Sequence, residues 1–282
     1  MCSSDLRTFT KMINELAFYP GLSDSSAFKW LKHRHICYIP KPRKDPTVIS
    51  NLRPLSLLEC LYKTVTRIFS FRLLSVQKSA ISENQHGFCN TRSCHSAIFP
   101  VLASLSRAEE TGEPLQLLSL DISSAFDSIH PPLISEVLLA QKFPPLFVQT
   151  LHGFVAGGTG SIRFRGGVGG TFPISTGSGQ GDPPSAPRFI AGTDPLTLAL
   201  EEVTRPFAFK MYGLPVPPPA YADDNLLVLN LSSVEDFRKI VELFDDFEKV
   251  SGLRLNLSKT EMIAINSDNN LIREVQRIFN IK

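Results

Sequence analysis

Tyr221-Ala222-Asp223-Asp224 sets two carboxylates side by side, and the apolar run Leu226, Leu227, Val228 and Leu229 follows at once. A third carboxylate, Asp121, closes an earlier apolar run, Leu117-Leu118-Ser119-Leu120. One acid at a strand end and two at a hairpin turn suffice to hold divalent cations. Hard oxygen ligands suit Mg²⁺, which takes a few carboxylates, several waters and substrate phosphates. Such a site is what in-line phosphoryl transfer with two metals requires. Each acid also has a plainer reading. Asp121 alone fits a helix cap or a solvated loop residue, and Asp223-Asp224 fits an acidic hairpin turn, because Asp is a common turn residue. Two adjacent like charges between apolar runs weigh toward a cation, which relieves their repulsion.

Hydropathy patterning supplies the elements that would position these acids. A short strand is expected over 31–39, stopped by Pro40 and Pro42. A helix is expected over 55–77, where Leu58, Leu61, Tyr62, Val65, Ile68, Phe69 and Leu73 recur at helical spacing. Another covers 93–110 and ends at Gly112 and Pro114, with Pro100 as a kink point. Residues 115–121 read as a buried strand. Pro131 and Pro132 open a helix through Gln141, and a second follows Pro145. The runs 161–165 and 171–174 flank a Gly-rich turn over 166–170 as a hairpin. Residues 183–203 are expected to be helical despite Pro187 and Pro195, and 207–212 and 226–231 to be strands. Ser232 or Ser233 caps an amphipathic helix that presents Val234, Phe237, Ile240, Val241, Phe244 and Phe247 on one face. Gly252 ends it, and 253–257 and 262–265 resume extended structure. Pro215, Pro217, Pro218 and Pro219 each remove a ladder donor, so the strand before Tyr221 must be short or lie at an edge. Alternating strands and helices around the acids predict an α+β fold with a split, ferredoxin-like sheet of antiparallel pairing.

Composition narrows the class. The 282 residues are 43% hydrophobic and 20% charged, which excludes an intrinsically disordered chain. No apolar run nears the roughly 18 residues of a membrane span, so no membrane partner is expected. Residues 1–18 carry an amphipathic helix pattern and not that of a signal peptide. Five irregularly spaced cysteines point to a reduced, intracellular compartment, nucleus or cytoplasm being left open. Net charge is only +2, but eleven Lys and Arg between Lys29 and Lys78 face two acids, Asp45 and Glu59. Such a block attracts phosphate backbones or a triphosphate, the alternative being a solvated helix face. His86, Cys89, Cys94 and His95 are a zinc set by composition, but their spacing departs from the usual knuckles. They are taken as packing or surface residues.

Read in order, these segments resemble the polymerase motifs of reverse transcriptases, of the non-LTR retrotransposon or group II intron type. Tyr221-Ala222-Asp223-Asp224 matches the family's catalytic hairpin, and Asp121 through Asp127 resembles its first metal-binding motif. Gln180-Gly181-Asp182-Pro183, with Ser185, is similar to the loop and helix that position template and incoming nucleotide. The segment from Ser251 through Gly252 and Lys259 to Glu261 is similar to a later palm motif. Upstream, Ile39-Pro40-Lys41, Arg53-Pro54-Leu55-Ser56 and Gln85-His86-Gly87-Phe88, with Arg92-Ser93, resemble finger motifs. The resemblance covers roughly residues 35–265.

The resemblance implies a right-hand polymerase's fingers and palm, the palm a ferredoxin-like antiparallel sheet packed on helices, without a thumb. It implies a single reverse transcriptase domain: an N-terminal helical segment over 1–28, fingers over 29–114 and palm over 115–282, with a finger/palm hairpin near 155–180. It implies an RNA-directed DNA polymerase of a retroelement protein, adding dNTPs to a DNA primer on an RNA template with Mg²⁺, or alternatively Mn²⁺. Protein partners are left unassigned. By resemblance, Asp121 and Asp223 would hold two metal ions, with Asp224 assisting and the Ile122 carbonyl an extra ligand. Arg53 would clamp phosphate oxygens with its guanidinium fork, and Lys41 would help as a point charge. Lys259 is the candidate proton donor to pyrophosphate, or else a solvated strand-end lysine. Phe126 would exclude a 2′-hydroxyl, its alternative role being core packing. Gly181, beside Gln180, would let backbone approach the nascent base pair.

Three positions depart from the family's pattern. Pro184 stands where Leu is usual, Ala186 where Pro is usual, and Ser124 where a basic residue is common. Two other functions stay open at this point: an RNA-directed RNA polymerase, against which Phe126 and the Tyr-Ala-Asp-Asp form speak, and a truncated, non-catalytic RNA-binding fragment.

Overall fold

The structure, a computed structural model, describes Arg7, Lys11 and residues 31–89 and 91–282. Apart from those two positions, the helix expected over 1–18 and the segment 1–28 lie outside the described residues. In chain order come β1 (His33–Pro40), β2 (Leu52–Leu57), α1 (Cys60–Ala80), α2 (Cys94–Thr111), β3 (Leu115–Leu120), β4 (Ile122–Ser123) and α3 (Ala125–Ser128). Next are α4 (Pro131–Ala140), α5 (Pro145–Gly153), β5 (Gly158–Phe164), β6 (Gly167–Ile174), α6 (Ser185–Thr204), β7 (Lys210–Met211) and β8 (Leu214–Pro215). Then follow β9 (Ala220–Tyr221), β10 (Asp224–Leu229), α7 (Val234–Ser251), β11 (Arg254–Leu255), β12 (Glu261–Ile265) and α8 (Asn269–Phe279). Short 3₁₀ turns lie at Ile49–Asn51, Arg205–Phe207 and Leu257–Lys259. Among the described residues no helix is long and apolar enough to cross a membrane.

These elements gather into two compact units, Met1–Ser75 with Ile129–Arg188 and Val76–Ser128 with Phe189–Lys282. The first is built on a sheet of order β2-β1-β5-β6, in which β1 and β5 are parallel and the other pairs antiparallel. Here the helix expected from residue 55 begins only at Cys60. Leu55 and Leu57 are instead drawn into β2, which pairs with β1 in the register Cys37↔Leu55 and His35↔Leu57. Pro54 is tolerated because β2 is an edge strand. The hairpin expected near 161–174 forms with longer strands than its glycines suggested. Phe164 pairs with Gly167, which leaves Arg165-Gly166 as the turn and puts Gly169 and Gly170 within β6. On α1, Phe69 stacks on Phe147 at 5.6 Å and meets Phe154 edge-on at 5.2 Å.

The second unit carries a wholly antiparallel sheet of order β12-β3-β10-β9. Its core joins Val101 and Ala108 of α2 to Leu115, Phe209, Val216 and Val228. Caps bound α2 and α7, of which Gly112, Gly252 and Ser233 were expected from the sequence and the Ser93 cap was not. Ser93 closes a capping box with Ser96 at the start of α2, and Gly112, at φ 73°, ends that helix. Ser233 and Asp236 do the same for α7, and Gly252, again at φ 73°, ends it. Helix α8 has no counterpart in the sequence expectations, although its cap Asp268 and the spacing of Ile272, Val275 and Phe279 would have found it. Its Phe279 ring lies 4.6 Å from Phe237. The strand expected over 207–212 breaks into a 3₁₀ turn and the β7–β8 hairpin, with Tyr212 and Gly213 both at positive φ. Strand β9 is two residues long and lies at the sheet edge, as the preceding prolines require.

The contiguous boundaries expected at 29–114 and 115–282 do not coincide with these units. Helix α2 precedes residue 115 yet shares its apolar core with β3 and β10. Strand β5 follows residue 115 yet pairs with β1, His33 opposite Thr159. Pairing between strands distant in sequence overrides chain order.

Candidate active site

Strand register brings the three acids to one end of the second unit's sheet. Strands β3 and β10 pair with Leu118 opposite Leu227 and Leu120 opposite Asn225. Asp121, one residue past β3, therefore comes to the same end as Asp224, one residue before Asn225. Tyr221 pairs with Asp224, which leaves Ala222-Asp223 as a two-residue hairpin loop. On its other side Asp121 is fixed by β11. Its carbonyl accepts from the Asn256 N–H at 2.8 Å, and Leu255 lies opposite Ile122. That bond makes Ile122–Leu255 a non-hydrogen-bonded pair, so the Ile122 carbonyl faces away from β11. Lys259, exposed in the following 3₁₀ turn, places Nζ 3.3 Å from Asp121 Oδ2.

The electrostatics are those of crowded acids. The Asp223 carboxyl is held above its ordinary pKa by withdrawal from water, and Asp121 adds to the rise while a bond to its own backbone opposes it. Asp224 is also raised, first by partial burial and then by Asp223 and Asp121. Asp121 has the Lys259 ammonium, whereas among the described residues Asp223 and Asp224 have no ion-pair partner. No three His, Cys, Asp or Glu side chains converge into a ready-made metal cage among the described residues. Carboxylates at one sheet end would suit an ion that takes one or two of them and fills its remaining positions with water and phosphate, as Mg²⁺ does. They do not fit an ion that needs a closed shell of side chains.

Phe126, on the single-turn helix α3, is half-buried. Its ring stacks on Phe189 at 4.1 Å and meets Phe88 edge-on at 6.3 Å. Packing thus fixes the ring, and its partial exposure leaves part of it available to a ligand.

Lys41, Arg53, Gln180 and Gly181 belong to the first unit. Arg53 is exposed on β2 opposite Ile39, and the Lys41 N–H donates to the Asn51 carbonyl at 2.8 Å. The Ser56 N–H donates to the Gln180 carbonyl at 3.0 Å. Gly181 sits at φ +98°, where a Cβ would lie 2.5 Å from the Ser56 carbonyl oxygen. What its missing side chain accommodates within this chain is β2. The neighbouring Asp182 is sealed from water. Its Oδ2 lies 3.1 Å from the Tyr62 hydroxyl and 3.9 Å from Arg188 Nη1. Burial raises its pKa, and Arg188 and Arg34 oppose that rise. Two members of the expected basic block are likewise interior: Arg34 belongs to this cluster, and Lys32 Nζ donates to the carbonyls of Gly153 and Ala156 at 3.2 and 2.8 Å. Sequence reasoning placed both on a phosphate-attracting surface and gave Asp182 no partner. The residues that meet here lie too far apart in the chain for spacing to reveal them.

A family model described as reverse transcriptase (RNA-dependent DNA polymerase) matches residues 39–276. The chain is 31% identical over 222 residues to the transposon TX1 uncharacterized 149 kDa protein of Xenopus laevis, an overlap of 78% of this chain and 17% of that protein. It is 28% identical over 232 residues to the retrovirus-related Pol polyprotein from type-2 retrotransposable element R2DM of Drosophila melanogaster, covering 81% of this chain and 21% of that one. The chain therefore spans about a fifth of these relatives' length. Among solved structures, apo telomerase from Candida tropicalis truncated from its C-terminal domain matches with a TM-score of 0.59 at 11% identity, over 92% of this chain and 56% of that one. Telomerase from Candida albicans in complex with a TWJ fragment of telomeric RNA matches with a TM-score of 0.55 at 13% identity, over 86% and 43%. At such identities the likeness is one of fold.

Proposed function

The chain belongs to the reverse transcriptase (RNA-dependent DNA polymerase) family, and from that premise we propose that it extends a DNA primer on an RNA template with dNTPs, within a retroelement protein. The observation that carries this reading is the strand register that brings Asp121, Asp223 and Asp224 to one sheet end, where among the described residues two of the three lack an ionic partner. Asp121 and Asp223 would hold Mg²⁺ or Mn²⁺, with Asp224 and the outward-facing Ile122 carbonyl in support. Metal ions held by these residues would supply acidification of the primer 3′-hydroxyl and positive charge for the triphosphate and leaving pyrophosphate.

The chain's own residues do the rest. Burial and the neighbouring carboxylates raise the pKa of Asp223 and Asp224, so the site gains from a ligand that brings positive charge. Lys259, already held against Asp121, is the candidate proton donor to pyrophosphate. Arg53 and Lys41 act on phosphate oxygens, Arg53 by its fork and Lys41 by its charge. Gln180 and Gly181 present backbone to the template and incoming nucleotide. Phe126, fixed between Phe88 and Phe189, narrows the space at the sugar and rejects a 2′-hydroxyl.

The test is primer extension on an RNA template with Mg²⁺, comparing the chain with Asp223→Asn and dNTPs with NTPs. Template-dependent incorporation of dNTPs by the chain, with a loss of about a thousandfold or more on substitution, is the expected result. Equal incorporation by both proteins rejects the metal role of Asp223, and a preference for NTPs turns the reading to RNA synthesis.

A further inference from the structure

The hairpin that carries Asp223 is poorly suited to its own turn. Ala222 and Asp223 are the two loop residues, and Ala222 sits at φ +58°. That left-handed conformation favours Gly or Asn and strains an alanine. Something outside the hairpin must hold it.

The segment from Asn84 to Gly87 lies against the hairpin's outer strand. The Ala220 N–H donates to the Asn84 carbonyl at 2.9 Å, and the His86 N–H donates to the Ala220 carbonyl at 2.7 Å. Between these bonds the Gln85 side chain, only 1% exposed, reaches the turn itself. Its Oε1 accepts from the Ala222 N–H at 2.8 Å, and its Nε2 donates to the Ala222 carbonyl at 3.2 Å. Oε1 also accepts from the Gly87 N–H at 2.8 Å, and two backbone donors on one atom fix which end of the amide is oxygen. Gly87 permits the approach, since a Cβ there would lie 2.3 Å from the Ala222 nitrogen.

Both backbone polar groups of the strained residue are thus bonded by one sealed side chain. The Ala222 carbonyl belongs to the peptide unit that leads into Asp223, so its orientation fixes the direction in which the next Cα projects its carboxylate. We propose that Gln85 is a positioning residue for Asp223, acting through both backbone groups of Ala222. The proposal deepens the metal reading above and rests on it. A ligand aimed by a hydrogen-bonded neighbour typically loses about 10–100-fold in metal affinity or activity when that neighbour is removed.

Mn²⁺ serves as the probe, titrated by electron paramagnetic resonance into the nucleic-acid-free chain, Asp223→Asn and Gln85→Met. Amide hydrogen exchange is followed in parallel. Asp223→Asn should abolish the tight Mn²⁺ site. Gln85→Met should weaken it about tenfold, with fast exchange at Ala222 and Gly87 while β3 and β10 stay protected. In primer extension the same variant should lose kcat about tenfold and keep the KM for dNTP within about twofold, a split that general loosening of the fold does not produce. Wild-type Mn²⁺ binding by Gln85→Met, with binding lost in Asp223→Asn, overturns the role of Gln85 alone. Wild-type binding by Asp223→Asn overturns the metal reading and this role with it. Should Gln85→Met not fold, Gln85→Asn decides by the same criteria, because it keeps an amide but withdraws it by one methylene.

Discussion

Asp182 is buried and Asp223 half-buried, and both carboxyls are pushed toward the neutral form by loss of water. Around Asp182 the chain provides Arg188, Arg34 and the Tyr62 hydroxyl, all interior. Around Asp223 it provides two further acids, with the nearby Lys259 engaged by Asp121. In the first place the protein compensates the charge itself, and the acid serves the loop that bears Gln180 and Gly181. In the second, no described residue pairs with the acid, which is what the proposed metal role requires. A buried acid with its own counter-ions therefore reads as architecture, and a crowded acid without them reads as a binding site.

The contrast breaks most directly if activity and stability do not separate. Asp223→Asn should lower primer extension by about a thousandfold or more and leave the melting temperature unchanged or raised, because it removes a like charge from a crowded site. A melting temperature that collapses along with activity would make Asp223 a structural acid. Asp182→Ala should do the reverse. Leaving two interior guanidiniums without their carboxylate costs about 3–5 kcal/mol, read as a lower denaturant midpoint at unchanged slope. A midpoint equal to that of the wild type would show that Asp182 is not what neutralises Arg188 and Arg34.

These two sites were unequally legible. The acids at 121, 223 and 224 stand at the ends of local apolar runs, and local patterning is what a sequence displays well. The same holds for the caps at Ser233, Gly112 and Gly252, and for the short edge strand that the prolines before Tyr221 demand. Strand β2 was hidden because Leu55, Leu58 and Leu61 fit a helical spacing as readily as a strand, and only pairing with β1 decides. The compact units were hidden for a related reason, since no spacing announces that Thr159 will lie beside His33. Gln85 is the sharpest case. Its motif was visible, but the backbone groups it bonds belong to a residue 137 positions away.

A smaller effect sharpens the account of the loop after Gly179. Gly181→Ala introduces a Cβ 2.5 Å from the Ser56 carbonyl oxygen at φ +98°. Overpacking together with left-handed strain should cost about 1–3 kcal/mol, again measured by denaturant midpoint. If the alanine variant is as stable as wild type and loses only primer extension, the glycine serves a ligand and not β2. If stability falls by the stated amount, β2 needs the glycine in addition to whatever its backbone presents to a ligand.

The smallest effect tests whether two guanidiniums against one carboxylate leave the first unit's interior with excess positive charge. His152 lines a small pocket with Ser135 and Arg188, and its Nδ1 lies 3.1 Å from Ser135 Oγ. Its pKa is held below the ordinary 6.5, first by burial and then by Arg188. A histidine whose folded pKa is depressed binds its proton more readily in the unfolded chain. Its contribution is therefore intact above pH 6.5 and is lost as pH falls through 6.5 toward the folded value. Between pH 7.5 and 5.5 the unfolding midpoint of His152→Gln should gain on that of wild type, by the part of the acid-side loss that His152 contributes. Another part of that loss remains in the variant, because His33 and His86 are depressed in the same direction by burial. If wild type and His152→Gln lose stability equally over this interval, Arg188 exerts no field on its neighbour, and the picture of an interior held slightly positive fails while the contrast between the two acidic sites stands.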